Sequence, residues 1–179
     1  MLKGELNKII FSRHLYNPSF IGWYILKYSK LSLSWTFLEK FIPNFINSEL
    51  LESEYKKFTE DFKNIKSPKI ALLIGGSSKK GKFSKNNIKE LIDNCSKIAK
   101  NMKAHLLIVT SRRTDEKILE QLEHSLECNS SLFKWDKESP NPYFAVLNVS
   151  DFIIATGDSM SMCSESCSTG KPTYIFNPR

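Results

Sequence analysis

The sequence predicts an α/β fold, an open parallel sheet flanked by helices, over residues 68–176, preceded by a helical segment. Three observations carry this reading. The runs Lys69 to Ile74, His105 to Val109 and Asp151 to Ala155 are apolar without alternation, as strands buried on both faces require. Segments of helical periodicity lie between them. Strand–helix alternation at this spacing builds a parallel sheet with right-handed crossovers.

The elements follow in order. The chain divides near Ser67-Pro68, into an aromatic-rich helical segment (1–67) and an α/β lobe (68–179). In the first part Phe20, Trp23, Tyr24 and Tyr28 fall at helical spacing, as do Trp35, Leu38 and Ile42. Interleaved with Lys27, Lys30 and Lys40, these aromatics fit either a peripheral membrane contact or packing on a protein surface. Residues 48–66 read as an amphipathic helix capped by Ser48, with acids early and lysines late.

In the lobe, the first strand closes on Gly75-Gly76. A helix from Ser84 to Lys103 presents Ile88, Leu91, Ile92, Cys95 and Ala99 along one face. The second strand ends at Thr110-Ser111, and Thr114 is expected to cap a helix over Asp115 to Leu126. Phe133 to Trp135 is a short strand or loop. Pro142 opens a helix through Val149, where a missing N–H costs nothing. The third buried strand precedes a helix from Met160 to Ser168, with Gly170 as its stop and a last strand over Pro172 to Phe176.

Hydrophobic content of 41% with 25% charged residues is that of a globular protein. The net charge of +7 favours anionic partners, although the lysines are scattered apart from Lys79, Lys80, Lys82 and Lys85. No nucleic-acid motif accompanies the charge, so nucleic acid is not an expected partner. The four cysteines form no CxxC pair and have no histidine at ligand spacing, which reads as free thiols in a reducing, cytoplasmic setting, with no metal and no cofactor. No apolar signal region follows Met1, and Leu15 to Leu26 falls short of the ~20 residues that span a bilayer.

In an open parallel sheet, ligands bind beyond the C-terminal strand ends. Three such ends carry unusual residues. In Gly75-Gly76-Ser77, glycine lets backbone amides approach an anion, and the serine hydroxyl adds a donor. Ser111, Arg112 and Arg113 lead into a helix N-terminus, combining guanidinium forks with the helix dipole. Asp158, Ser159 and Ser161 begin another helix, and Glu165 lies in its second turn, where a carboxylate can accept from sugar hydroxyls. Alternatively, Asp158 and Ser159 cap that helix. The site is of the kind that holds a phosphate-bearing molecule. No catalytic grouping can be placed: His105 opens its strand at the wrong end of the sheet, and Asp158 is the only plausible carboxylate base.

The strings IGG (74–76), TSRRT (110–114), NPYF (141–144) and GDSMSMCSES with GKP (157–172) resemble, in that order, the mitochondrial fission ELM1-like family. The resemblance implies a Rossmann-like lobe of the GT-B glycosyltransferase type, which commonly holds the nucleotide of a nucleotide-sugar. It places Gly75, Gly76, Ser77, Arg112 and Arg113 near a diphosphate, and Ser159, Ser161 and Glu165 near phosphate and ribose. Family members are longer at both ends, so the chain reads as a shortened lobe, incomplete at its C-terminus. A second polypeptide is then expected to supply the opposing lobe. The other functions considered are a non-enzymatic adaptor at a membrane surface and a truncated product without activity.

Overall fold

The computed structural model describes residues 9–12, 46–76 and 85–176. In chain order the elements are β1 (Ile9–Ser12), α1 (Ser48–Lys57), α2 (Thr59–Phe62), β2 (Lys69–Ile74), α3 (Lys85–Met102), β3 (His105–Thr110), α4 (Glu116–Ser125), β4 (Ser130–Phe133), α5 (Tyr143–Val149), β5 (Phe152–Thr156), α6 (Met160–Ser168) and β6 (Thr173–Phe176).

The strands form one sheet in the order β1-β6-β5-β2-β3-β4, with β6 to β4 mutually parallel and β1 antiparallel at the edge. Taken along the chain, the five parallel strands lie in the order 3-2-1-4-5, that of a Rossmann-like sheet. The expected fold class is the one observed. Two strands differ from the sequence expectation. Ile9–Ser12 forms a strand where helix was expected, because Ile9-Ile10-Phe11 suits a pleated surface and β6 offers an edge to pair with. Ser130–Phe133, with mixed polarity, is a full edge strand on β3. Most of the aromatic segment, including Trp23 and Trp35, lies outside the described residues.

The two faces of β2 explain its unbroken apolar run. Ile70, Leu72 and Ile74 pack toward α3 and α4, against Ile88, Leu91, Ile92, Ile118 and Leu122. Ala71 and Leu73 pack on the opposite face, against Val146 and Leu147 of α5, Cys163 of α6, and Leu51 and Phe62 of the leading helices. Crossovers leaving β2 and β3 therefore cover one face, and those flanking β5 cover the other. The reversal lies between β2 and β5, which pair directly from Ile70–Phe152 to Leu73–Ala155. A crevice beyond their carboxyl ends follows from that reversal.

Helix ends were placed nearly, not fully, from sequence. Asn47 caps α1, its Oδ1 accepting from Leu50 N–H at 2.8 Å, one residue ahead of the expected Ser48. The expected long helix breaks at Phe58. Asp115 caps α4 by accepting from Lys117 N–H, which frees Thr114 for another task. Gly170, at φ 71°, ends α6 as expected. Lys171 closes the opposite end of the layer: its ammonium donates to the carbonyls of Leu147 (2.8 Å) and Asn148, the C-terminal end of α5. The lysine of GKP is thus a helix cap.

Candidate functional site

The switch point is lined by the turns that follow β2, β3 and β5. Each is fixed by the others. Gly75 N–H donates to Thr156 Oγ1 at 2.9 Å, and Gly76 N–H donates to Asp158 Oδ2 at 2.7 Å. From the other side, Ser111 Oγ (2.9 Å) and Thr114 Oγ1 (2.5 Å) both donate to the Gly75 carbonyl. Ser111 N–H closes the ring on Thr114 Oγ1 at 2.9 Å. Side chains from two strand ends therefore meet on the two-residue glycine turn of a third.

The glycines are dictated by these approaches. A Cβ on Gly75 would sit 2.2 Å from Asp158 Oδ2, and one on Gly76 would sit 1.9 Å from the Arg113 carbonyl oxygen. The sequence reading assigned both glycines to anion approach. In the structure their amides are satisfied by Thr156 and Asp158, and the room they leave is filled by the neighbouring loops.

The remaining predicted residues fall into two groups. Arg112 and Arg113 are exposed at the rim, and neither guanidinium has an ion-pair partner among the described residues. Ser159 is buried at the N-cap of α6 but makes no side-chain cap; its hydroxyl lies 3.4 Å from that of the exposed Ser161. Capping by Asp158 and Ser159 is thus not seen, because Asp158 turns to Gly76 instead. Glu165 does not face open solvent: it is half-buried and accepts from Tyr143 Oη at 2.6 Å. Ser77 and the lysines at 79, 80 and 82 lie outside the described residues.

Three contributors were missed from sequence: Thr156, Thr114 and Tyr143. A signal existed for the first. Both Thr110 and Thr156 end a buried strand, and each hydroxyl accepts a backbone N–H from the turn beside it, of Trp135 and Gly75 respectively. A lone hydroxyl at the carboxyl end of an apolar run marks such a pin. Tyr143 lay inside the NPYF string, yet its link to Glu165 spans two helices and has no local sign. His105 is structural, as expected, pairing through Nε2 with Ser131 Oγ at 2.9 Å. Among the described residues no cluster could hold a metal, and no helix is long and apolar enough to cross a membrane.

Burial sets the electrostatics of this layer. Burial first, then the Glu165 carboxylate, raises the Tyr143 hydroxyl far above its ordinary 10.0. Burial pushes the Cys95 and Cys163 thiols from 9.0 up to about 12. All three groups stay neutral in the fold and ionise more readily when unfolded. Their stabilisation is therefore whole below pH 9 and is lost as pH rises, first through the thiols and from pH 10 through the tyrosine. Urea midpoints should fall steadily above pH 9. Tyr143→Phe should start lower, having lost the Glu165 bond, and then decline less steeply above pH 10. Equal slopes for the two proteins would refute this assignment.

Fold and site together define an α/β lobe of Rossmann-like order with polar and basic strand-end loops gathered at its switch point. The chain belongs to the mitochondrial fission ELM1 family, whose model matches residues 36–179. It is 34% identical to Uncharacterized protein RP120 of Rickettsia prowazekii over 60% of this chain and 31% of that one. It is 28% identical to Mitochondrial fission protein ELM1 of Arabidopsis thaliana over 65% of this chain and 27% of that one. The chain thus spans about a third of the length of these relatives. Among solved structures, the UDP-GlcNAc 2-epimerase of Neisseria meningitidis, bound to UDP-GlcNAc, aligns with a TM-score of 0.42 and 17% identity, over 69% of this chain and 33% of that one.

Proposed function

We propose that this chain is a nucleotide- or nucleotide-sugar-binding lobe of the GT-B type. The observation that supports this most is the convergence of the Gly75–Gly76 turn, the Ser111–Thr114 loop and the start of α6 at the switch point, beside two guanidiniums that have no ion-pair partner among the described residues. In this reading Arg112 and Arg113 take the diphosphate with forked, charge-assisted bonds beside the glycine turn and Ser77. Ser159 and Ser161 lie near phosphate at the N-terminal end of α6. Glu165, steadied by Tyr143, accepts from ribose hydroxyls. Glycosyl transfer at such a crevice also needs an opposing wall, to hold the acceptor and exclude water. That wall would come from a second lobe or polypeptide.

Thermal shift of the folded chain against UDP-, GDP- and ADP-sugars tests the reading. A ligand at about a hundred times its Kd should add roughly 2.7 kcal/mol and move the melting point by several degrees. No stabilisation at millimolar concentration by any of the three would sink it.

A second reading, a cytoplasmic adaptor at a membrane surface, is favoured by the family itself, whose Arabidopsis member is named for mitochondrial fission. Flotation with anionic liposomes separates the two. An adaptor binds vesicles through residues 1–47, and equal binding with and without that segment counts against it.

A further inference from the structure

We propose that the Asp158 carboxylate is the chain's own occupant of the anion subsite at Gly76, a built-in competitor that an incoming phosphate must displace. The inference rests on the nucleotide-binding reading above. A carboxylate oxygen imitates a phosphate oxygen in charge and in acceptor geometry. Asp158 Oδ2 holds the Gly76 amide at 2.7 Å, while Thr156 Oγ1 holds the Gly75 amide. Both oxygens and the carbon of the Asp158 carboxylate lie within 2.9 Å of the position a Gly75 Cβ would take, so the group fills the space over the turn. No ligand can use that turn while Asp158 stays.

The contact is also poorly kept. Asp158 Oδ1 is buried and has no hydrogen-bond partner among the described residues. A carboxylate offers about four acceptor sites, and a buried acceptor left unmet is costly. One oxygen bound and the other stranded describes a group ready to yield. The incoming ligand has the better claim on the rim, because Arg112 and Arg113 lack ion-pair partners among the described residues. Arg113 reaches the same turn through its backbone, whose carbonyl packs against Gly76. A multiply charged phosphate gains from both guanidiniums what the Asp158 carboxylate, which pairs with neither among the described residues, does not.

Self-occupation lowers apparent affinity by the fraction of molecules in which the subsite is open. The test uses the full 179-residue chain, inorganic pyrophosphate as the probe, calorimetry for affinity, and the Gly76 amide resonance as the local reporter. Asp158→Ala should bind pyrophosphate about tenfold more tightly than the native chain, as expected for a subsite open in a tenth of molecules. Asp158→Asn should fall between them, since its amide oxygen still accepts from Gly76 without the charge. It also serves should the alanine variant fail to fold. In the native chain, pyrophosphate should move the Gly76 resonance. If the native chain binds while folded Asp158 variants bind no tighter, displacement is overturned and the nucleotide reading stands. If neither the native chain nor any variant binds, the nucleotide reading falls and takes this inference with it.

Discussion

Gly76→Ala is expected to destabilise the protein by about 3 kcal/mol, a large share of the ~5–15 kcal/mol that holds a domain together. The added Cβ meets the Arg113 carbonyl oxygen at 1.9 Å and its carbonyl carbon at 2.2 Å. Neither atom belongs to a side chain that can turn aside. Relief requires moving the β3–α4 loop, which Ser111 and Thr114 tie to the Gly75 carbonyl. Gly75→Ala makes a contact of similar depth, 2.2 Å, but with the Asp158 side chain. Its cost should therefore be smaller and should be largely relieved in the Gly75→Ala, Asp158→Ala double variant. Gly76→Ala should show no such rescue. Urea unfolding of six proteins (native, the three single variants, and each glycine variant combined with Asp158→Ala) checks both statements.

Leu72→Ala should cost roughly 2–5 kcal/mol, the range for emptying a packed core site. Leu72 is fully buried, lies in the central strand opposite Ile108 and Ile154, and packs into the layer of α3 and α4. Neighbours on both flanking strands limit how far the cavity can collapse. Leu132 is the contrast: it sits on edge strand β4, half-buried, against the same cluster. Leu132→Ala should cost no more than about half as much by the same measurement. Similar losses at both positions would mean that β2 is not the centre of the sheet.

Most of the fold was legible because burial on both faces leaves a local trace. The unbroken apolar runs at 69–74, 105–109 and 151–155 could only be central strands, and Gly170 could only end a helix. Edge elements leave less. Ser130–Phe133 mixes polar and apolar residues because one side is open, and Ile9–Ser12 becomes a strand only through pairing with β6. The crevice was legible as a set of loops, since fold rules place strand-end loops together. What each side chain does there was not. Thr114 has the sequence position of a helix cap but is a brace on Gly75, while Asp115 is the cap. Asp158 was read as a cap or a base and is bonded to a glycine 82 residues away in the chain. Glu165 finds Tyr143 across two helices. Partners that distant are chosen by packing, which no local pattern encodes.

Under the proposed function, the loops at the switch point bind the diphosphate part of a nucleotide. The most direct measurement is a titration of the full chain with UDP, following backbone amide resonances residue by residue. Saturable shifts are expected at Gly75, Gly76, Ser111 to Arg113 and Ser159 to Ser161. Saturable shifts elsewhere that leave these residues unmoved, or no shifts at millimolar UDP, GDP and ADP, would overturn the proposed function.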